Sequence, residues 1–162
     1  MNLRFLLPAL LALPLAAQGS GLFGTWTLAT APDLPRIIEA ATAPMNFVTR
    51  PIARSRLKKT NDVYPAIRIE REAGGFSLQF GERAPQHLPD DGRAVPWTRE
   101  DGEKFLVSAR MDQDDLVQTY KAADGERTNV FHLDPAGRTL TLKVTVTSPR
   151  LPGPLTYAIT YR

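Results

Sequence analysis

From Tyr64 to the C-terminus, apolar and polar residues alternate with period two. Phe76-Ser-Leu-Gln-Phe80 alternates strictly. So does Arg138 to Ser148, with Leu140, Leu142, Val144 and Val146 on one face and Thr139, Thr141, Lys143, Thr145 and Thr147 on the other. Such runs, rich in β-branched residues, mark half-buried antiparallel strands. Turn signals separate them: Ala73-Gly-Gly75, Pro89-Asp-Asp-Gly92, Asp101-Gly102, Asp124-Gly125, Pro135-Ala-Gly137 and the proline-rich 149–154. Each supplies a positive or a fixed φ where a hairpin must reverse. Strands are predicted at about 23–30, 64–71, 76–80, 84–88, 93–98, 103–110, 115–121, 127–133, 138–148 and 155–161. Ten short strands in hairpin succession point to an all-β sandwich or an up-and-down antiparallel barrel.

One stretch departs from this rhythm. Leu34, Ile37, Ile38 and Ala41 recur at helical spacing, with Asp33 placed to cap the helix. Pro51 suits the first turn of a second short helix. A helix–turn–helix insert is therefore predicted between strands one and two.

The chain has 162 residues, 20 Lys plus Arg against 17 Asp plus Glu, and no cysteine. That size supports one core. Absence of cysteine excludes a disulfide framework, a Cys zinc site and a thiol nucleophile. Residues 1–19 contain Arg4, an apolar run from Phe5 to Ala17 and then small residues. The run is shorter than the ~20 apolar residues of a membrane span. It reads as a signal peptide, leaving 20–162 as one exported domain in the periplasm or outside the cell.

The catalytic inventory is thin: two histidines, no Gly-x-Ser-x-Gly, no His-Glu-x-x-His and no P-loop. Asp112, Asp114 and Asp115 read as a soluble hairpin tip, because the rest of a calcium loop is missing. His87, between two prolines, reads as a surface residue. No catalytic function, no cofactor and no metal site are expected. Nucleic-acid binding is not expected either, because the basic residues lack interleaved aromatics.

Several segments resemble a known group. Phe23-Gly-Thr-Trp-Thr-Leu28 resembles the Gly-x-Trp opening of the calycin superfamily, which includes lipocalins and fatty-acid-binding proteins. Asn46-Phe-Val-Thr-Arg50 resembles the segment between that family's two helices. Ala94 to Arg110, Leu116 to Lys121 and Asp124 to Val130 resemble its later strands in order and spacing, and Tyr161-Arg162 its C-terminus. The resemblance implies a ten-strand barrel with a helical lid, here in an exported, bacterial-type variant. It implies that Trp26 packs the closed end. The family's Arg two residues before the closing Tyr is Ile159 here, and its other anchoring Arg aligns with His132. The usual carboxylate anchor is thus altered.

Given a barrel, alternation proposes interior faces. Tyr157, Ile159 and Tyr161 share a face of the last strand; Gln118 and Tyr120 share one with Leu116; His132 shares one with Val130. Pointed inward, they would form an oily wall with sparse polar tips, the chemistry of a small-molecule pocket. His132 would serve as a hydrogen-bonding partner or as a cation toward an acidic head. The expected function is non-catalytic binding of a small hydrophobic or amphipathic, lipid- or fatty-acid-like molecule by a monomer. The alternative is an envelope structural or interaction protein whose core is filled. Arg50, Arg54 and Lys58 recur every four residues on the second helix. They are expected at the portal, where they could touch an anionic membrane.

Overall fold

The computed structural model describes residues 21–162. The predicted signal peptide lies outside the described residues. The strands are β1 (Gly24–Thr30), β2 (Ala66–Glu72), β3 (Gly75–Phe80), β4 (Gln86–Pro89), β5 (Val95–Thr98), β6 (Lys104–Asp112), β7 (Asp115–Ala122), β8 (Gly125–Leu133), β9 (Leu140–Thr147) and β10 (Leu155–Tyr161). They form one antiparallel sheet in the order β4-β3-β2-β1-β10-β9-β8-β7-β6-β5. Every neighbour except the β1–β10 pair is joined by a hairpin or by the helical insert. The sheet curls into a barrel in which only β4 and β5 remain unpaired with each other. The expected up-and-down barrel of ten strands is therefore present.

Two helices, α1 (Leu34–Thr42) and α2 (Thr49–Thr60), lie between β1 and β2. The Asp33 carboxylate accepts from the Arg36 backbone N–H at 3.1 Å and caps α1. Leu34, Ile38 and Thr42 are the buried stripe of α1, which packs on α2 and β10. α2 buries Leu57, and the Asn61 amide donates to the Leu57 carbonyl at 2.8 Å to close its C-terminal end.

Strand register sorts the interior into tiers. Phe105 pairs with Trp97, and Ala122 with Gly125, near one rim. Next come Val107, Tyr120, Arg127 and Val146, in register across β6 to β9. The third tier is Ala109, Gln118, Asn129, Val144 and Tyr157. Below it lie Met111, Leu116, Phe131, Leu142 and Ile159, and finally Leu133, Leu140 and Tyr161. The two lowest tiers pack solidly with Ile67, Ile69, Phe76 and Leu78, all fully buried. Trp26 packs into this core, and its indole N–H donates to the Leu22 carbonyl at 3.0 Å.

Candidate functional site

The lower half of the barrel is filled. The upper half, beneath the lid, encloses a cavity of about 650 Å³. Its roof is the inner side of α2, with Thr49, Ile52, Ala53, Leu57 and Thr60. Tyr64 and Phe80 form one wall, and their rings lie 5.4 Å apart. Trp97, Phe105 and Tyr120 form another, with ring centroids 5.6 to 6.2 Å apart in tilted and edge-to-face contact.

The floor is polar. The Asn129 amide donates to Gln118 Oε1 at 2.9 Å. Gln118 Nε2 donates to Gln86 Oε1 at 2.8 Å and to the Tyr120 hydroxyl at 2.9 Å. Tyr120 in turn donates to Gln86 Oε1 at 2.6 Å. Gln118 and Asn129 are almost wholly buried, so this belt must satisfy itself. It also reaches from β7 and β8 to β4, across the place where the backbone ladder is interrupted.

Arg127 is the cation at the floor of this chamber, while Arg83 and Arg99 lie over the Tyr64 and Phe105 rings of its walls. Its Nε donates to Asn129 Oδ1 at 2.9 Å, and Nη1 donates to the Thr60 carbonyl and, at 3.4 Å, to Asn61 Oδ1. Asn61 Oδ1 also accepts from the Tyr157 hydroxyl at 2.9 Å. Arg127 thereby ties the end of α2 to the floor and keeps Nη2 free of any hydrogen bond among the described residues. Burial pushes the Tyr120 phenol up to about 12 against the opposing pull of the Arg127 charge. Burial likewise raises Tyr157. These phenols stay protonated at neutral pH and act as hydrogen-bonding groups, not as bases.

Of the residues expected to line a pocket, Tyr120 is in the cavity wall and Gln118 in its floor. Tyr157 is tied to Asn61. Ile159 and Tyr161 face inward but lie in the filled tiers, below the cavity. The Tyr161 hydroxyl finds no hydrogen-bond partner among the described residues. His132 and Val130 face outward. The His132 ring nitrogen Nδ1 lies 2.7 Å from an Asp115 oxygen on the outer surface. The phase of β8 is the opposite of the one expected. Val130 and Phe131 are adjacent apolar residues, so alternation alone fits either face, and the larger ring takes the core. His132 and the interior tyrosines are thus on opposite sides of the sheet.

The lid arginines are also placed differently. Arg50 donates to the Met45 carbonyl at 2.6 Å and the Ala43 carbonyl at 2.6 Å, bracing the turn between the helices. Arg54 pairs with Glu39 of α1 and donates to Thr42 Oγ1 at 3.2 Å. Lys58 is exposed and does not line the cavity. The helix phase instead turns Arg56 and Lys59 to the mouth. Asp124, in the β7–β8 turn, lies 2.8 Å from Arg56 and 3.4 Å from Arg150, so it latches the lid to the rim. Among the described residues, no group of three His, Asp or Glu side chains is placed to hold a metal ion.

The chain matches no protein-family model and no curated protein sequence. Solved structures do match. A secretory abundant heat soluble protein from Ramazzottius varieornatus is 10% identical, with TM-score 0.63 over 89% of this chain and 96% of that one. A Schistosoma mansoni fatty acid binding protein, solved with arachidonic acid, is 17% identical, with TM-score 0.57 over 89% and 98%. The REP1-NXSQ fatty acid transporter is 15% identical, with TM-score 0.59 over 89% and 96%. The chain therefore has a fatty-acid-binding-protein-like barrel fold.

Proposed function

We propose that the protein is an exported, non-catalytic carrier that holds a small hydrophobic or amphipathic anion, lipid- or fatty-acid-like, in the chamber beneath its lid. One observation carries the reading: an apolar-walled cavity of about 650 Å³ with an interior cation, Arg127, at its floor, whose Nη2 makes no hydrogen bond among the described residues. Such a chamber combines a large apolar contact with an orienting charge at its floor. Structural neighbours described as fatty-acid-binding and fatty-acid-transporting proteins support it. The apolar run at 5–17 supports export to the periplasm or the medium. The protein works as a monomer in this reading.

The lid carries a second element of the proposal. Phe47, Val48 and Ile52 are exposed at 87%, 58% and 58%, at the start of the helix whose far end carries the exposed Lys58. Apolar wedges on a helix that also carries cations suit transient contact with an anionic membrane during loading.

The test is native mass spectrometry of the protein from its own compartment, before and after solvent extraction. Excess mass that extraction removes, and that Arg127→Gln lowers, is the expected result. An apo mass together with no uptake of 1-anilinonaphthalene-8-sulfonate overturns the carrier reading and leaves a structural envelope protein. Sedimentation with phosphatidylglycerol vesicles, lost in Phe47→Ser, checks the membrane contact.

A further inference from the structure

The cavity's shape narrows the ligand, on the premise that the chamber is a ligand site. Its depth is the first observation. From Ala122 at the rim to Gln118 in the floor is four residues of β7, or about 13 Å at 3.3 Å per residue. Below that level Leu116, Phe131 and Leu142 leave no apolar channel. An extended long acyl chain meets a belt of amides where it would need hydrocarbon.

The wall is the second. Trp97, Phe105 and Tyr120 are half-buried and face the empty space. Their rings are in mutual contact, so they form a continuous surface and not a cage around a cation. Arg99 also lies over Phe105, 5.5 Å from its ring centroid, which disfavours a second cation there. An aromatic surface of this kind rewards a flat ring more than a flexible chain, which loses rotamer entropy on ordering.

The spacing of wall and charge is the third. Tyr120 and Arg127 are register partners on β7 and β8, so their Cβ atoms are about 5 Å apart. Gln86 Oε1 is already occupied by Gln118 and Tyr120, which turns its amide N–H groups free beside the same wall. The groups left open at the floor are donors. A ligand that satisfies both must carry an acceptor-rich, negative group within a few bonds of its ring.

We infer that the chamber selects a compact aromatic acid, one or two fused rings bearing a carboxylate or sulfonate, over a long-chain aliphatic acid. The ring lies against Trp97 and Phe105, and the anionic group meets Arg127 and the Gln86 amide.

The experiment is displacement of 1-anilinonaphthalene-8-sulfonate from the delipidated protein by 2-naphthoate, octanoate and palmitate. 2-Naphthoate is expected to displace the probe at a concentration about tenfold or more below palmitate, the scale of two aromatic contacts. Trp97→Leu should bring the displacement concentrations of 2-naphthoate and palmitate to within about twofold of each other, 2-naphthoate losing more. Phe105→Leu, read alongside circular dichroism, gives a second variant in case the first does not fold. Palmitate binding tighter than 2-naphthoate, or an equal loss for both in the folded variants, overturns the aromatic preference but leaves the carrier reading intact. No uptake of any of the four compounds overturns both.

Discussion

The polar belt yields a sharp energetic test. Replacing Gln118 with Leu keeps the approximate volume and removes the acceptor for the Asn129 amide at 2.9 Å. Tyr120 and Gln86 keep their own bond, so a single buried donor is orphaned, at a cost of about 1–3 kcal/mol. Asn129→Leu is worse. It orphans Gln118 Oε1 and also the Arg127 Nε–H, which donates to Asn129 at 2.9 Å. A charged donor without a partner adds a comparable penalty, for a total of about 3–4 kcal/mol. The double variant removes donor and acceptor together and leaves only the Arg127 deficit. It should be more stable than Asn129→Leu alone by about 2 kcal/mol, with a coupling of about 3–4 kcal/mol between the two sites. Urea unfolding, followed by tryptophan fluorescence and circular dichroism with unchanged m-values, measures this. In thermal melts each kcal/mol corresponds to about 2–4 °C. Additivity within about 0.5 kcal/mol would show that the belt is not a closed network. Near-neutral single variants would show that water already serves these groups, and the floor of the chamber would then be wet.

Three further outcomes are expected. A Cβ at Gly75 would lie 2.4 Å from the Leu88 carbonyl oxygen on the adjacent strand, so Gly75→Ala should cost about 1–3 kcal/mol and strip amide-exchange protection from β4; an unchanged urea midpoint would contradict the close β3–β4 approach. Burial pushes Tyr64, Tyr120 and Tyr161 up to about 12, whereas the unfolded chain releases those protons near pH 10, so their contribution is whole below pH 10 and is lost as pH rises toward 12; melts across that range should show the loss, and Tyr120→Phe should lessen it. Asp124 pairs with both Arg56 and Arg150 at the mouth, so Asp124→Asn should speed probe release several-fold and weaken its salt dependence while changing stability by less than about 1 kcal/mol; stopped-flow dilution of the probe complex measures it, and an unaltered off-rate would show that the lid opens elsewhere.

The architecture was largely legible because period-two alternation and turn residues repeat through most of the chain. Strands such as 76–80 and 155–161 have one consistently large apolar face, which leaves a single way to bury them. The site was legible only in part. Tyr120 and Gln118 stand on the same face as Leu116, so their inward direction followed from the pattern. β8 carries Val130 and Phe131 side by side, and a strand with two apolar phases hides its polar passenger. That ambiguity concealed Arg127 and put His132 inside. An arginine in the interior also runs against composition, since its burial depends on acceptors from distant segments, here Thr60, Asn61 and Asn129. On α2 a spacing of four identified a helix face correctly as a face. Which way it turned depended on α1, where Glu39 and Thr42 hold Arg54. The signal available in the sequence was Arg127 two residues from Asn129 on a strand, a pair that shares one face.

The break between β4 and β5 also bears on how the molecule behaves in company. Every other backbone ladder in the sheet is shared by two strands, but here two rims of unspent N–H and C=O groups face each other across a slot in a nearly closed wall. Rims of that kind invite a stranger's strand to complete them, and fibres grow from such invitations. Pro89 ends one rim and Pro96 interrupts the other, and proline offers no N–H to a newcomer. Both strands are four residues long, too short to template much. The slot between them can therefore yield as the barrel breathes without becoming a seed for self-association.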